Sequence, residues 1–592
     1  MSVNTLLARF LVWRIRHINN KNFVLLLSGL IGMLSGLAAV TLKSAVHFIQ
    51  QQLTGFFHFG FPNLLYITYP LIGILLTVLL ARYVLKEKLG HGVTDILYTI
   101  SKKSSLIRRT KMYSRMFTSA LTVGFGGSVG LEGPIVVTGS AIGSNVGQLM
   151  HLNYKKRTSL IGCGAAGAIA AIFNSPIAGV IFAVEVILSD VTIASFIPLL
   201  IASVSGQLVA LVLLGEEVLF SFRLEDPFQA ADTPYFLLLG AVCGLAAFYF
   251  NRIMWAVEGW VGRIQEALPR ALMGGIGLGL IIFIFPPIYG EGYDSIIAML
   301  SGQDEVLLSR SFFFGELDSV YVVLLFMLGV LLIKPVASAL TIGAGGSGGV
   351  FAPSLFMGAV TGFVFARFIN FVQVAGQVSV ANFALVGMCG LMSGILHAPL
   401  TAIFLIAEIT GGYTLFVPLM LVSAISYSVS SYFQRYSFYT KNLVERGDFI
   451  PYDKDKQVLR LISLEKIVET DFLEISPRAS VQDLVGLVQL SKRNLFPVVD
   501  EKGVLKGIIT LDDIREIMFD SDKRQTVIIE TIMRQPPAYV QLDDEMESVM
   551  NKFEKTGAWN LPVLYGGRYA GFVSKSRIFN AYRTRLIRQQ RE

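Results

Sequence analysis

Charge is scarce in this chain. Of its 592 residues only 15% are Asp, Glu, Lys or Arg, against 53% hydrophobic, a balance too apolar for a soluble protein and a length too great for one domain. Between Arg115 and Lys155 the only acid or base is Glu132, between Arg157 and Asp190 it is Glu185, and between Arg367 and Glu408 there is none. Each stretch is long enough for one or more membrane helices at about 20 residues per span. Backbone in hydrocarbon must satisfy its own hydrogen bonds, and without barrel-like alternation that means helices. Cysteine is nearly missing: Cys163, Cys243 and Cys389 sit in apolar runs without metal spacing, so no disulfide framework or thiolate metal centre is expected. None of the six histidines is followed by Glu, so the H-E-x-x-H of an intramembrane metalloprotease is missing. Lone acids at Glu132, Glu185 and Glu408 are not the carboxylate cluster that would replace water around Mg2+. An enzyme is not expected, and no cofactor is required. The net charge of +7 fits the Lys/Arg surplus of cytoplasmic membrane faces, and without a basic and aromatic groove motif nucleic acid is not an expected partner.

Two Gly-rich motifs are each present twice. Gly127 to Gly143, G-S-V-G-L-E-G-P-I-V-V-T-G-S-A-I-G, matches Gly346 to Gly362, G-S-G-G-V-F-A-P-S-L-F-M-G-A-V-T-G, at an offset of 219 residues. Ile172 to Val186, I-F-N-S-P-I-A-G-V-I-F-A-V-E-V, matches Ile395 to Ile409, I-L-H-A-P-L-T-A-I-F-L-I-A-E-I, at an offset of 223, with Glu185 falling on Glu408. Paired Gly/Pro-interrupted apolar segments in two halves of a chain mark a membrane transport protein whose site lies between the repeats. Glycines before a proline-opened helix let backbone approach an ion and leave unpaired N–H groups at a helix start, where anions bind. Several such termini meeting at mid-membrane could hold an anion without any full cationic charge. Glu132, alone in a charge-free stretch, is by default a functional-site residue. Glu185 and Glu408 are read as structural, pairing with backbone or polar neighbours.

Organisation follows composition. Residues 1–20 are basic and amphipathic and are expected to form a retained cytoplasmic interfacial helix. Arg9, Arg14, Arg16 and Lys21 place that end on the cytoplasmic side. Residues 21–450 form the membrane domain, with repeats at about 70–230 and 235–445, in contact with membrane lipid. Charges become frequent near residue 450, where a soluble domain begins. It is itself a tandem: Phe496 to Ile514 is echoed by Leu561 to Ile578, with Pro497 matching Pro562, and each copy reads as strand, turn, strand, helix.

The motifs G-L-E-G-P, G-G-V-F-A-P, F-N-S-P-I-A-G-V-I-F-A-V-E and S-F-Y-T-K closely resemble those of the CLC family of anion channels and proton-coupled anion exchangers, over most of residues 20–445. The resemblance implies an all-α polytopic membrane domain with an inverted internal repeat, and a homodimer with a chloride or other small-anion pathway in each subunit. It implies a multi-pass plasma (cytoplasmic or inner) membrane protein with both termini cytoplasmic. By resemblance Glu132 is the gating glutamate, and His91, Gly130, Leu131, Gly349, Val350, Phe351 and Tyr439 are anion-binding. Three departures stand out. Leu131 replaces a basic residue before the gate. His91 replaces a serine in G-S-G-x-P, either an imidazole near the path that adds pH sensitivity or a packing residue at a helix start. Val186 replaces the internal proton acceptor of family exchangers, which reads as a voltage- or pH-gated channel. The alternatives are an H+/Cl− antiporter with an unusual internal proton route and a non-conducting anion sensor.

The tandem resembles a pair of CBS domains, 467–520 and 529–585, α/β modules that often bind adenine nucleotides. The resemblance implies that Thr510 contacts phosphate and Asp513 ribose, while Arg577 in the second copy leaves that site doubtful. A CBS pair that only mediates dimer contact is an equally good reading.

Overall fold

The computed structural model describes residues 3–591 apart from 56–61, 88, 189–192, 216–227, 304–306, 309–310, 312–319, 373–376, 449–458 and 460–461. Two compact units result, Met1–Pro451 and Tyr452–Glu592. The membrane/soluble boundary expected near residue 450 falls outside the described residues. A helix, Val3–His17, occupies the basic N-terminal segment, and the Arg14 guanidinium lies 3.9 Å from the Phe23 ring centroid.

The first unit is helical, and eight of its helices among the described residues are long and apolar enough to cross a membrane. Its surface is apolar as well as its interior: Leu26, Leu208, Val212 and Leu325 are each more than half exposed, the pattern of a protein solvated by lipid. It is a multi-pass membrane protein.

The sequence repeat recurs as a structural one. In the first half the helix Glu132–Leu149 packs on Tyr154–Phe173; in the second, Phe351–Val372 packs on Val380–Leu396. Both second helices stop at a left-handed residue, Asn174 and His397, each with φ of 55°, and each next helix opens on a proline, Pro176 or Pro399. The paired helices touch backbone to backbone. A Cβ on Gly164 would lie 1.9 Å from the Gly139 carbonyl oxygen, and one on Gly358 would lie 2.5 Å from that of Gly387. Gly164→Val is therefore expected to destroy the monodisperse size-exclusion peak of the purified protein, because overpacking against backbone costs about 1–3 kcal/mol or more. Gly259→Ala, with nothing within 4 Å, is expected to elute unchanged; equal profiles for the two would refute this packing.

Glu185 and Glu408 bind the halves together. Glu185 accepts from the Leu400 and Thr401 amides at 3.1 and 2.8 Å and from the Thr401 hydroxyl at 2.7 Å. Glu408 accepts from the Ile177 and Ala178 amides at 3.0 and 2.8 Å. Each acid thus caps the proline-opened helix of the other half, supplying the orphan N–H groups of a helix start with a favourable negative charge.

The second unit contains five strands among its described residues. β1 (Leu495–Val499) pairs antiparallel with β2 (Leu505–Thr510), while β3 (Val540–Gln541) lies parallel to β4 (Asn560–Tyr565), which is antiparallel to β5 (Arg568–Ser574). Helices Val481–Leu490 and Met546–Thr556 precede the strand pairs, and each copy has its own apolar core, around Phe496 and Ile509 in one and around Val563 and Val573 in the other.

Candidate functional site

The motif loops of the two halves meet face to face. Gly130 donates its N–H to the Gly349 carbonyl at 2.9 Å and Gly349 returns the bond at 2.8 Å. Behind this bridge the exchange repeats: Ser128 N–H donates to Thr341 Oγ1 at 3.2 Å, and Ser347 N–H to Thr122 Oγ1 at 3.0 Å. Each half holds the other's loop, and immediately beyond the bridge the Glu132 and Phe351 helices begin.

Glu132 is 2% exposed. Its Oε1 accepts from the Tyr293 hydroxyl at 2.7 Å. Its Oε2 is buried without a hydrogen bond of good geometry, although its own amide and that of Ala352 are adjacent. A carboxylate oxygen therefore sits beside helix-start N–H groups, the end of a helix that favours negative charge. Val350 and Phe351, both buried, have no acceptor for their N–H groups among the described residues. The Phe351 ring is held by Phe173 and Phe182, at centroid distances of 5.1 and 6.2 Å. Tyr439 is 4% exposed, is close enough to Glu132 to feel its charge, and accepts from the Thr94 hydroxyl at its carbonyl, 3.0 Å away.

Four of the residues grouped as anion-binding are otherwise engaged. The Gly130 and Gly349 amides are spent on each other, so these glycines tie the loops together. The Leu131 N–H donates to Glu291 Oε1 at 3.1 Å. The His91 ring places Nε2 2.8 Å from Glu258 Oε2 and lies edge-on to Phe438, 5.1 Å away, so that nitrogen is committed to a carboxylate. A lysine also lies near the motif loops. Lys334, fully buried, donates to Ser128 Oγ at 2.9 Å, behind the motif loop. Val186 lies in a π-helical turn, Ala183–Ile187, partly buried against the apolar core.

Glu258, Glu291, Tyr293 and Lys334 escaped the sequence reading. Lys334 is the only acid or base between Asp318 and Arg367, so the rule that singled out Glu132 would have found it. Glu291 stands between Gly290 and Gly292, whose φ angles are +61° and +85°, a turn signal. Nothing local ties Glu258 to His91, 167 residues away.

In the second unit Thr510 and Asp513 form a helix cap: Asp513 Oδ2 accepts from the Thr510 amide and hydroxyl, both at 2.8 Å, and Oδ1 pairs with Arg534 at 2.5 Å. Both Asp513 oxygens thus already have partners within the protein.

Residues 72–431 match the family described as voltage gated chloride channel. The chain belongs to that family. Members of the family transport anions, and residues 464–520 and 529–584 each match the CBS domain. The chain is 25% identical over 554 residues to chloride channel protein CLC-e of Arabidopsis thaliana, covering 82% of this chain and 75% of that one. It is 28% identical over 413 residues to the H(+)/Cl(−) exchange transporter ClcA of Vibrio vulnificus, covering 68% of this chain and 85% of the other. A slow cyanobacterial Cl−/H+ antiporter of known crystal structure shares the fold, with a TM-score of 0.61 and 22% identity over 73% of this chain and 99% of that one. The architecture is thus the inverted-repeat membrane fold of this family followed by an α/β CBS pair.

Proposed function

We propose that this protein is a chloride channel gated by Glu132, responding to voltage or pH, with one pore in each subunit of a homodimer. The observation that carries the reading is the Glu132 carboxylate, buried beside the amides that open the two halves' helices. While ionised it acts as a tethered anion; neutralised or displaced, it leaves the place to chloride, with Val350 and Phe351 N–H and the Tyr439 hydroxyl as further donors. Passive conduction is supported by Val186, whose apolar side chain cannot carry a proton, and by Glu185, which is occupied in capping the Pro399 helix. The lipid-facing surface and basic N-terminal helix support a plasma or inner membrane location with the N-terminus and CBS pair cytoplasmic, the division falling near residue 450. An adenine nucleotide regulating through the CBS pair would meet Asp513 already paired with Arg534.

One observation favours the exchanger instead. The His91–Glu258 contact puts two titratable groups together at the start of the Gly92–Lys102 helix, a substitute for the acid that Val186 lacks. Liposomes loaded with purified protein and given a chloride gradient separate the readings when chloride efflux and internal pH are recorded together. A channel gives chloride flux without stoichiometric proton movement. Uphill proton movement driven by chloride would overturn it, and Glu258→Gln is then expected to abolish that coupling while chloride still moves.

A further inference from the structure

The turn at Glu291 brings a second carboxylate to the gate. Glu291 is partly exposed, whereas Glu132 is buried. The two are joined by the Glu132 helix start: Glu291 Oε1 takes the Leu131 N–H at 3.1 Å, one residue before Glu132. They are joined again by the Tyr293 helix, since Tyr293, two residues after Glu291, donates to Glu132 Oε1 at 2.7 Å. The backbone holds this placement. Gly290 N–H donates to the Gly126 carbonyl at 3.2 Å, and a Cβ on Gly292 would fall 2.6 Å from the Phe356 ring.

We propose that Glu291 is a second gate carboxylate, occupying the amide end of the Glu132 helix as Glu132 occupies the Ala352 end, and exchanging protons with the outside before Glu132 does. The proposal rests on the reading of Glu132 as the gate. An ionised Glu291 excludes chloride from Leu131 N–H by repulsion and by filling the hydrogen bond. Its negative charge also favours the protonated form of Glu132, because two like charges this close resist joint ionisation. The charged and titratable groups around Glu291 are Glu132 and Tyr293, Lys334 from the Val320–Gly343 helix and Lys43 from the Asn20–Gly55 helix; Tyr439 feels Glu132 from the far side. Lys43 and Lys334 lie on the side of Glu291 where a positive charge would offset an ionised acid. Protonating one acid makes the cluster one unit more positive, which draws an anion to the helix starts, so proton uptake and chloride entry assist one another. The proton comes from the aqueous phase to a Glu291 carboxylate oxygen and passes to Glu132, with no bond broken other than O–H.

The test is chloride efflux from proteoliposomes as a function of external pH for the wild type, Glu291→Gln, Glu132→Gln and the double variant. Glutamine keeps an oxygen for Leu131 N–H. Glu291→Gln is expected to move the half-activation pH down by about one unit, a tenfold change in proton concentration, and to make the wild-type curve shallower. Glu132→Gln is expected to keep a shallow one-proton step that the double variant loses. An unmoved midpoint in Glu291→Gln, or identical profiles for Glu132→Gln and the double variant, overturns the role of Glu291 while leaving Glu132 intact. Flux and pH profile unaltered by Glu132→Gln would instead overturn the gate itself. Should Glu291→Gln fail to elute as folded protein, a flat Glu132→Gln profile alone overturns the proposal.

Discussion

Glu132→Gln should raise chloride flux at neutral pH by on the order of tenfold, the gain expected if the tethered carboxylate holds the site about ten times as often as it leaves it to the free ion. The variant keeps the side-chain volume and the Tyr293 hydrogen bond but removes the charge that competes with chloride. The steep activation by acid expected of the wild type should disappear with it, leaving only the shallow step assigned to Glu291. Efflux from proteoliposomes, compared between acidic and neutral external pH at equal protein density, reads both changes. A Glu132→Gln protein that elutes as the wild type does, yet shows wild-type flux at every pH, would remove Glu132 from the gate.

Glu185→Ala should cost more stability than any other single side-chain deletion at the seam between the halves. Three donors lose a charged acceptor, the Leu400 and Thr401 amides and the Thr401 hydroxyl, and hydrogen bonds to charged groups are worth about 1.5–3 kcal/mol each. Some of that loss is recovered by relaxation, so a net cost of about 3 kcal/mol is expected. Glu408→Ala, which strands two amides, should cost less. Thermal unfolding in detergent should rank wild type above Glu408→Ala above Glu185→Ala; the reverse order of the two variants would contradict the crossed caps. Neither change touches the gate, so folded material should keep the pH dependence of the wild type.

What could be read ahead of the structure depended on whether the signal was local. The duplicated G-S-x-G loops placed the meeting point of the halves, because the glycines and prolines that shape a helix start lie within a few residues of one another. Glu132 stood out as the one acid of a long charge-free stretch, set within a Gly-rich motif at a helix start. The same loops misled at Gly130 and Gly349: a pattern of N–H donors does not say which carbonyl is opposite, and the nearest acceptor proved to be the other copy's backbone. The partner of His91 was not legible either, Glu258 lying on a helix whose face no local periodicity relates to residue 91. Lys334 and Glu291 illustrate a third kind of loss. Each is one charge beside a motif and outside the duplicated blocks, so the repeat does not mark it.

The crossed caps also set a schedule for synthesis. The amides of Ile177 and Ala178 enter the membrane when the first half has been made, but Glu408, which accepts from them, is translated 231 residues later than Ile177. At roughly 5–20 residues per second that interval is about 10–50 s, during which the Pro176 helix has bare donors in an environment that punishes them. A nascent chain in this window needs a temporary acceptor, from lipid headgroups, water or the insertion machinery, and is the form most exposed to membrane proteases. Slow codons between the two halves would therefore lower the yield of mature protein without altering a single residue of it.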